Sequence, residues 1–317
     1  MKISEIETNA ADPDVDQGIL TLHLRCPSCT RAFTELPRLK KRPVHLGCSY
    51  CGYTLTVEDA FSDARLNKEH SSEYSRLWAL WEEGRLGDPG LVYGVIPQDD
   101  FRHVLSALEL SQDELKNMKI LEIGFGHGRL LQEIQKYSAT AYGIDAVMPL
   151  ASSSFRPGTV ICGDLFNIPI MPGQFDLVIC KGVIQMTPWP RKAFDCISEQ
   201  VAQKGRLYFT VYEKGLKQSL RLRKLLPGAW RYHESLRLAI AGLLSVPRAM
   251  LEAKRNRTYE RKAFNRYLGN SKLNIFDVIS TRWTSQHTKE EIMSWFTSNG
   301  FEVHRLGACH YVGTKKG

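Results

Sequence analysis

Four cysteines stand in two pairs, Cys26-Pro-Ser-Cys29 and Cys48-Ser-Tyr-Cys51, separated by eighteen residues. Two residues between cysteines let one tight turn aim both sulfurs at one ion. Two such turns complete the tetrahedral thiolate shell that Zn2+ prefers. Four thiolates leave no position for water, so an ion held there would be structural rather than catalytic. Gly52 supplies permissive backbone behind the second pair. A redox dithiol and a chance spacing are the alternatives. His23 and His45 read as outer or surface groups once four cysteines are available. Cys162, Cys180, Cys196 and Cys309 are scattered, as buried thiols of a reducing compartment would be.

A second stretch with chemical potential is Ile120-Leu-Glu122-Ile-Gly124-Phe-Gly126-His-Gly128-Arg-Leu-Leu131, an apolar run that passes through a glycine-rich turn into a helical pattern. The three glycines allow a sharp bend and a close approach by a ligand. Arg129 stands where a dinucleotide loop prefers glycine, so the nicotinamide version of the fingerprint is broken. Tyr142-Gly-Ile-Asp145 places an acid 21 residues after Gly124, near the spacing at which a carboxylate reaches ribose hydroxyls. Cys162-Gly-Asp164-Leu165 ends a third apolar run in an acid. Turn capping by Asp145 and helix N-capping by Asp164 are the competing readings.

On Glu122-x-Gly-x-Gly-x-Gly128, Gly143-Ile-Asp145, Gly163-Asp164 with Pro169, Phe175-Asp176-Leu-Val-Ile and Gly182-Val-Ile-Gln-Met-Thr-Pro188, the chain resembles the class I S-adenosylmethionine-dependent methyltransferases. The likeness is to the branch of quinone-biosynthesis and other small-molecule enzymes, and 288–301 looks like that branch's last helix and strand. It covers 119–212 and 288–312. The resemblance implies a Rossmann-like α/β fold, with a seven-stranded sheet whose last strand is antiparallel and S-adenosylmethionine at the carboxyl ends of the first strands. It assigns Glu122 and the loop at Gly124, Phe125, Gly126 and Gly128 to the methionyl end, Asp145 to the ribose diol, and Asp164 with Leu165 to the adenine. Lys181, at the tip of the fourth strand, joins this cofactor set.

Gln185 departs from the branch, where many relatives carry histidine. A neutral amide orients a substrate but accepts no proton at neutral pH. Gln185, Tyr142 and His310 are the expected substrate contacts. His287 is the candidate catalytic base, against a plain role at a helix start. Cys180-Lys-Gly-Val lacks the signatures of amino-group and cytosine-C5 methylators, which leaves Cys180 as a buried thiol.

Positioning these groups requires repeated βαβ units. Strand-length apolar runs at 119–123, 140–144, 159–162, 175–180 and 205–212 alternate with helical stretches at 129–136 and 191–203. A helix at 288–299 and a closing antiparallel pair at 301–306 and 308–312 follow. Upstream, strands at 19–24 and 53–57 frame the cysteines, and helices are expected at 59–83 and 98–110. Ser111 and Glu114 have capping-box spacing. The expected organisation is a disordered acidic tail at 1–18, a zinc ribbon at 19–58, a helical linker or cap at 59–117, and a methyltransferase domain at 118–317 with a basic helical insert at 213–285.

The 317 residues, 43% apolar and 24% charged, are of ordinary globular composition and exclude fibrous or wholly disordered classes. The net charge of +8 is local: between 211 and 270, fourteen basic residues face four acids, so this segment carries the whole excess. Such a field suits an anionic partner, RNA or a membrane surface among them, or is simply a solvated face. Leucines alternating with arginines fit a lid over a hydrophobic or lipid-like small-molecule acceptor. RNA methylation, with ribbon and insert gripping phosphates, is the runner-up, and a non-catalytic zinc-ribbon interaction module the third reading. No apolar run of about 18 residues suggests a spanning helix. The acidic start has no export signal, so the expected location is cytoplasmic, with peripheral membrane contact as an option.

Overall fold

A computed structural model describes residues 22–33, 43–58, 61–66, 72–147, 155–215 and 221–317. The acidic tail and the beginning of the strand expected at 19–24 lie outside them. In chain order the elements are β1 (Val44–Gly47), β2 (Thr54–Val57), β3 (Ser62–Asp63), α1 (Ser72–Glu82), α2 (Pro97–Leu108), β4 (Ile120–Ile123), α3 (Arg129–Gln135), β5 (Ala141–Asp145) and β6 (Val160–Cys162). There follow β7 (Phe175–Lys181), α4 (Pro190–Gln200), β8 (Val201–Thr210), α5 (Arg221–Leu225), α6 (Glu234–Arg255), α7 (Arg261–Ser280), α8 (Lys289–Ser298), β9 (Phe301–Gly307) and β10 (His310–Lys315).

The strands form one sheet in the order β1-β2-β3-β6-β5-β4-β7-β8-β10-β9. From β3 through β8 the neighbours after β3 are parallel, and β10 lies antiparallel between β8 and β9. The expected seven-stranded sheet with its antiparallel closing strand is thus the run from β6 to β9. Its order reverses at β4, which has β5 on one side and β7 on the other; this switch point opens a crevice at the strands' carboxyl ends.

Ile-Leu-Glu-Ile of β4 and Leu-Val-Ile-Cys of β7 are buried on both faces, as central parallel strands must be. Leu121, Ile123, Val178 and Cys180 pack with α4 and α8. Ile120, Leu177, Ile179 and Tyr208 face the opposite layer, with α2 and α3. A third core, built from Leu77, Leu80 and Trp81 of α1 with residues of α6 and α7, lies in the helical part.

The N-terminal unit differs from expectation. Val44–Gly47, expected as loop, is a strand with Val44 and Leu46 buried and the residues between them exposed. Ser62–Asp63 is a strand where a helix from Asp59 was expected, because β2 turns back on it and its other edge lies parallel to Ile161–Cys162. The ribbon therefore extends the large sheet. Among the described residues the strand expected at 19–24 is reduced to isolated bridges, Leu24 with Ile170 and Arg25 with Ala32.

A half-buried ion pair joins the insert to the closing strands. Glu213 accepts from Arg305 Nε at 2.9 Å and Nη2 at 2.8 Å, from the Cys309 N–H at 3.1 Å and from the Tyr311 hydroxyl. Arg305 is the main cause of a carboxyl held down at about 2. Arg305 is 31% exposed, so Glu213→Gln should cost about 2–3 kcal/mol, below the 3–5 kcal/mol of a fully buried pair. The depressed folded pKa gives stability that is fully present above the ordinary carboxylate range and lost as pH falls through about 2. Urea unfolding of both proteins at a series of pH values should show the difference shrinking in that window. Equal stability at neutral pH would refute it.

Candidate functional site

Beyond β4 the chain turns through Gly124 (φ 75°), Gly126 (φ 56°) and Gly128 (φ 79°), left-handed conformations that favour glycine. Space imposes the same choice. A Cβ at Gly124 would lie 2.2 Å from Val183 Cγ2, and one at Gly128 2.1 Å from Phe155 Cζ; at Gly126 the Trp78 indole is 2.9 Å away. Phe125 is buried in the α2/α3 layer against Phe155 and offers the site its backbone.

Asp145 ends β5 beside this loop. Its Oδ2 accepts from the Gly126 N–H at 2.7 Å and its Oδ1 from the Val147 N–H at 2.9 Å. It therefore caps its own turn and ties the glycine bend to the neighbouring strand tip. Burial pushes its pKa up against the lowering effect of those N–H groups. These backbone N–H groups, with that of Ala146, do not fill a carboxylate's roughly four acceptor positions, so a ligand hydroxyl can still be received.

Glu122 is 4% exposed, and its Oε2 has no hydrogen-bond partner among the described residues. Burial raises its pKa to about 8, opposed by the Lys181 charge. Lys181, at the end of β7, pairs with Asp100 of α2. Asp164 accepts from the Phe166 N–H at 2.9 Å and N-caps the 3-10 turn Leu165–Asn167, so the capping reading is realised, with Leu165 half-buried behind it.

The expected substrate and base residues are not gathered together. Tyr142 is a correction: it is 2% exposed and packs on Phe175 inside the core, because its place in β5 three residues before Asp145 turns it into that layer. Gln185 is fully buried in the 3-10 turn after β7, beside Gly182 and beneath Ser285, whose N–H donates to its carbonyl. His310 lies on the α2 side, its Nδ1 2.8 Å from the Tyr208 hydroxyl and its ring against His103. Burial lowers its pKa. His287 bonds Ser285 Oγ through Nε2 at 2.8 Å and Glu291 Oε1 through Nδ1 at 2.9 Å. Its ring meets Trp295 edge-on, in the layer opposite Glu122 and Lys181.

Three contributors were not legible as such. Asp100, which pairs Lys181, is an acid in the first turn of α2, and nothing local marks it as a partner of β7. Trp81 is fully buried in the third core, and Trp78 packs on the same core while also covering Gly126; both indoles lie against the His127 ring. His127, in the middle of the glycine loop, is thereby covered, with burial driving its pKa down to about 3.

At the ribbon, the thiol sulfurs of Cys26, Cys29, Cys48 and Cys51 lie within 4.8 Å of one another, with Cys26–Cys51 and Cys29–Cys48 at 3.6 Å. A tetrahedron with metal–sulfur bonds of about 2.3 Å has edges of about 3.8 Å, so the set is already at ligand spacing. Backbone N–H bonds, that of Tyr50 foremost, hold the Cys48 thiol down at about 6, while burial raises Cys26 to about 12. His23 and His45 are exposed and outside the set. The ribbon is fastened to the segment after β6 by Arg25 N–H to the Pro169 carbonyl, Arg25 Nε to the Ile168 carbonyl and Met171 N–H to the His23 carbonyl.

Residues 121–209 match the family described as methyltransferase domain. The chain is 26% identical over 195 residues, 53% of its length and 76% of the relative's, to a ubiquinone biosynthesis O-methyltransferase of Colwellia psychrerythraea. Among solved structures it resembles an S-adenosylmethionine-dependent methyltransferase of Thermotoga maritima (16% identity, TM-score 0.42, covering 79% of this chain and all of that one). It also resembles the magnesium protoporphyrin IX methyltransferase of Synechocystis (14% identity, TM-score 0.41, 69% and 79% covered).

Proposed function

We propose that this chain, which carries an S-adenosylmethionine-dependent methyltransferase domain across residues 121–209, transfers the methyl group to a small organic acceptor by direct in-line displacement. One observation carries the reading: an unpartnered, buried Glu122 oxygen beside a triple-glycine bend that Asp145 pins to the next strand. These residues fit the cofactor. Glu122 would receive the methionyl ammonium, the glycine-loop backbone its carboxylate, Asp145 the ribose diol, and the turn at Asp164 and Leu165 the adenine.

The sulfonium supplies an already electrophilic methyl group when bound, so the protein's part is alignment and exclusion of water. Lys181, held by Asp100, sets the positive charge at the tip of β7 against Glu122. His310, from β10, and Gln185, from the turn after β7, would be the polar groups that orient an acceptor. The layer of α1, α6 and α7 would roof the site, through Trp78 on Gly126. A zinc ion on the four cysteines would secure the sheet edge beside the adenine turn.

His287, bonded at both ring nitrogens, is assigned to positioning of the 285–291 turn rather than to proton removal. His287→Ala should then change turnover less than tenfold; loss of a general base gives about 10²–10⁴-fold. A drop of that size, measured with a transferable acceptor, would restore the base role.

Calorimetry with S-adenosylhomocysteine tests the cofactor assignment, with saturable binding expected for the wild type and a much weakened curve for Asp145→Ala. Transfer of labelled methyl into separated small-molecule, lipid and RNA pools tests the acceptor. Labelling confined to RNA would overturn the small-molecule reading, and absence of cofactor binding would overturn the enzyme reading at this site.

A further inference from the structure

The face of α6 turned away from α7 is apolar and uncovered. Leu236, Leu243 and Met250 recur every seven residues and are 50%, 75% and 61% exposed; Val246 and Leu251 widen the row. At 1.5 Å per residue the stripe runs for about 22 Å. At its carboxyl end the helical hairpin carries Lys254, Arg255, Arg257, Arg261, Lys262 and Arg266, all exposed, around an equally exposed Tyr259. Glu260 is the one exposed acid between them, and among the described residues none of the six basic groups forms a salt bridge.

We infer that this hairpin docks on an anionic lipid bilayer, with α6 lying in the plane of the interface. An apolar face edged by lysine and arginine is what such a surface binds, and the long basic side chains and Tyr259 can reach the headgroups while the leucines enter the acyl boundary. The described helices include none long and apolar enough to cross a membrane, so the contact is peripheral. Charge argues against a second copy as the occupant. The tip is strongly positive, and at the other end of α6 the acid Glu234 is held by Arg76 and Arg85. A parallel pairing of two hairpins sets cation against cation, and an antiparallel one sets the basic tip against an end whose acids Glu83 and Glu234 are already matched by Arg76 and Arg85. A nucleic acid would neutralise the tip but leave Leu243, Met250 and Leu251 in water.

The test is flotation of the full chain with vesicles of equal parts phosphatidylglycerol and phosphatidylcholine, against pure phosphatidylcholine. Binding should be at least about tenfold stronger to the anionic vesicles and weaken with added salt, since each basic residue near such a surface contributes about 1 kcal/mol. Leu243→Ser with Met250→Ser should reduce partition about tenfold or more, and so should Lys254→Glu with Arg255→Glu. The second pair should also flatten the salt dependence. Circular dichroism and S-adenosylhomocysteine binding report whether each variant is folded, and the lipid and salt comparison stands on the wild type alone. Equal partition to both vesicles, or none, overturns the inference. So does a dimer in sedimentation that the Leu243/Met250 variant dissolves, or tight binding of an oligouridylate probe that this variant leaves unchanged.

Discussion

Chain purified under reducing conditions should contain one zinc ion, and its removal with a strong chelator should lower the unfolding temperature by about 10 °C or more. Structural zinc contributes about 10–16 kcal/mol in peptides that are unfolded without it. Here the ribbon also has protein partners, since Leu22, Leu24, Val44, Leu46, Leu55 and Val57 belong to the same core as Ile144 and Ile161 of the large sheet. A contribution of about 5 kcal/mol is the conservative expectation, and at about 2 °C per kcal/mol for a chain of this size it gives the stated shift. The effect should not stay local. β3 lies along β6, and the Arg25 bonds to Ile168 and Pro169 fasten the ribbon just beyond the turn assigned to adenine. Metal-free protein should therefore also bind S-adenosylhomocysteine less tightly, and zinc should restore both properties. Cys48→Ser is the genetic equivalent. Elemental analysis that finds no metal, with an unchanged calorimetric transition after chelation, would sink the assignment.

The parts of the molecule legible in the sequence are those whose period or spacing is local. The strands β4 to β8 are short apolar runs interspersed with helical stretches, which indicate a parallel sheet, while the sheet's seven-stranded form is what the family resemblance implies. The cysteine pairs and the glycine bend are likewise read within a few residues. What escaped was decided by distant partners. Ser62–Asp63 becomes a strand because two backbone edges, β2 and β6, meet there, and nothing in the two residues announces it. Asp100 finds Lys181 eighty-one residues away, and Trp78 finds Gly126 across the helical layer. Tyr142, expected as a substrate contact, stands three residues before Asp145, and strand alternation sends the two side chains in different directions. Asp145 and Asp164 both cap local turns, and a capping carboxylate keeps acceptor positions that leave the proposed ligand role open to test.

Glu122→Gln should move binding and stability in opposite directions, which no purely structural role for this carboxyl would do. Burial raises the Glu122 pKa to about 8 in the folded chain. The folded state therefore holds this proton more tightly than the unfolded chain. The sign follows: stability is full below the ordinary carboxylate range and declines as pH rises through about 8, where a charge must be accommodated in a buried place. The glutamine variant lacks that charge. Its unfolding temperature should gain on the wild type as pH rises from about 6 to about 9. Cofactor binding has the reverse dependence, because the methionyl ammonium favours the ionised carboxylate. Wild-type affinity for S-adenosylhomocysteine should rise between about pH 6 and 7.5, with a proton released on binding, before the ammonium itself, with an α-amino pKa of about 8, begins to lose its proton. Calorimetry in buffers of different ionisation enthalpy measures that release directly. Loss of one charge-assisted bond of about 1.5–3 kcal/mol predicts affinity about 10–150-fold lower in the variant, with a flat pH profile and no proton release. A variant that binds as tightly as the wild type, with the same proton release, would remove Glu122 from the cofactor site. The unpartnered oxygen would then be only an internal burden on the fold.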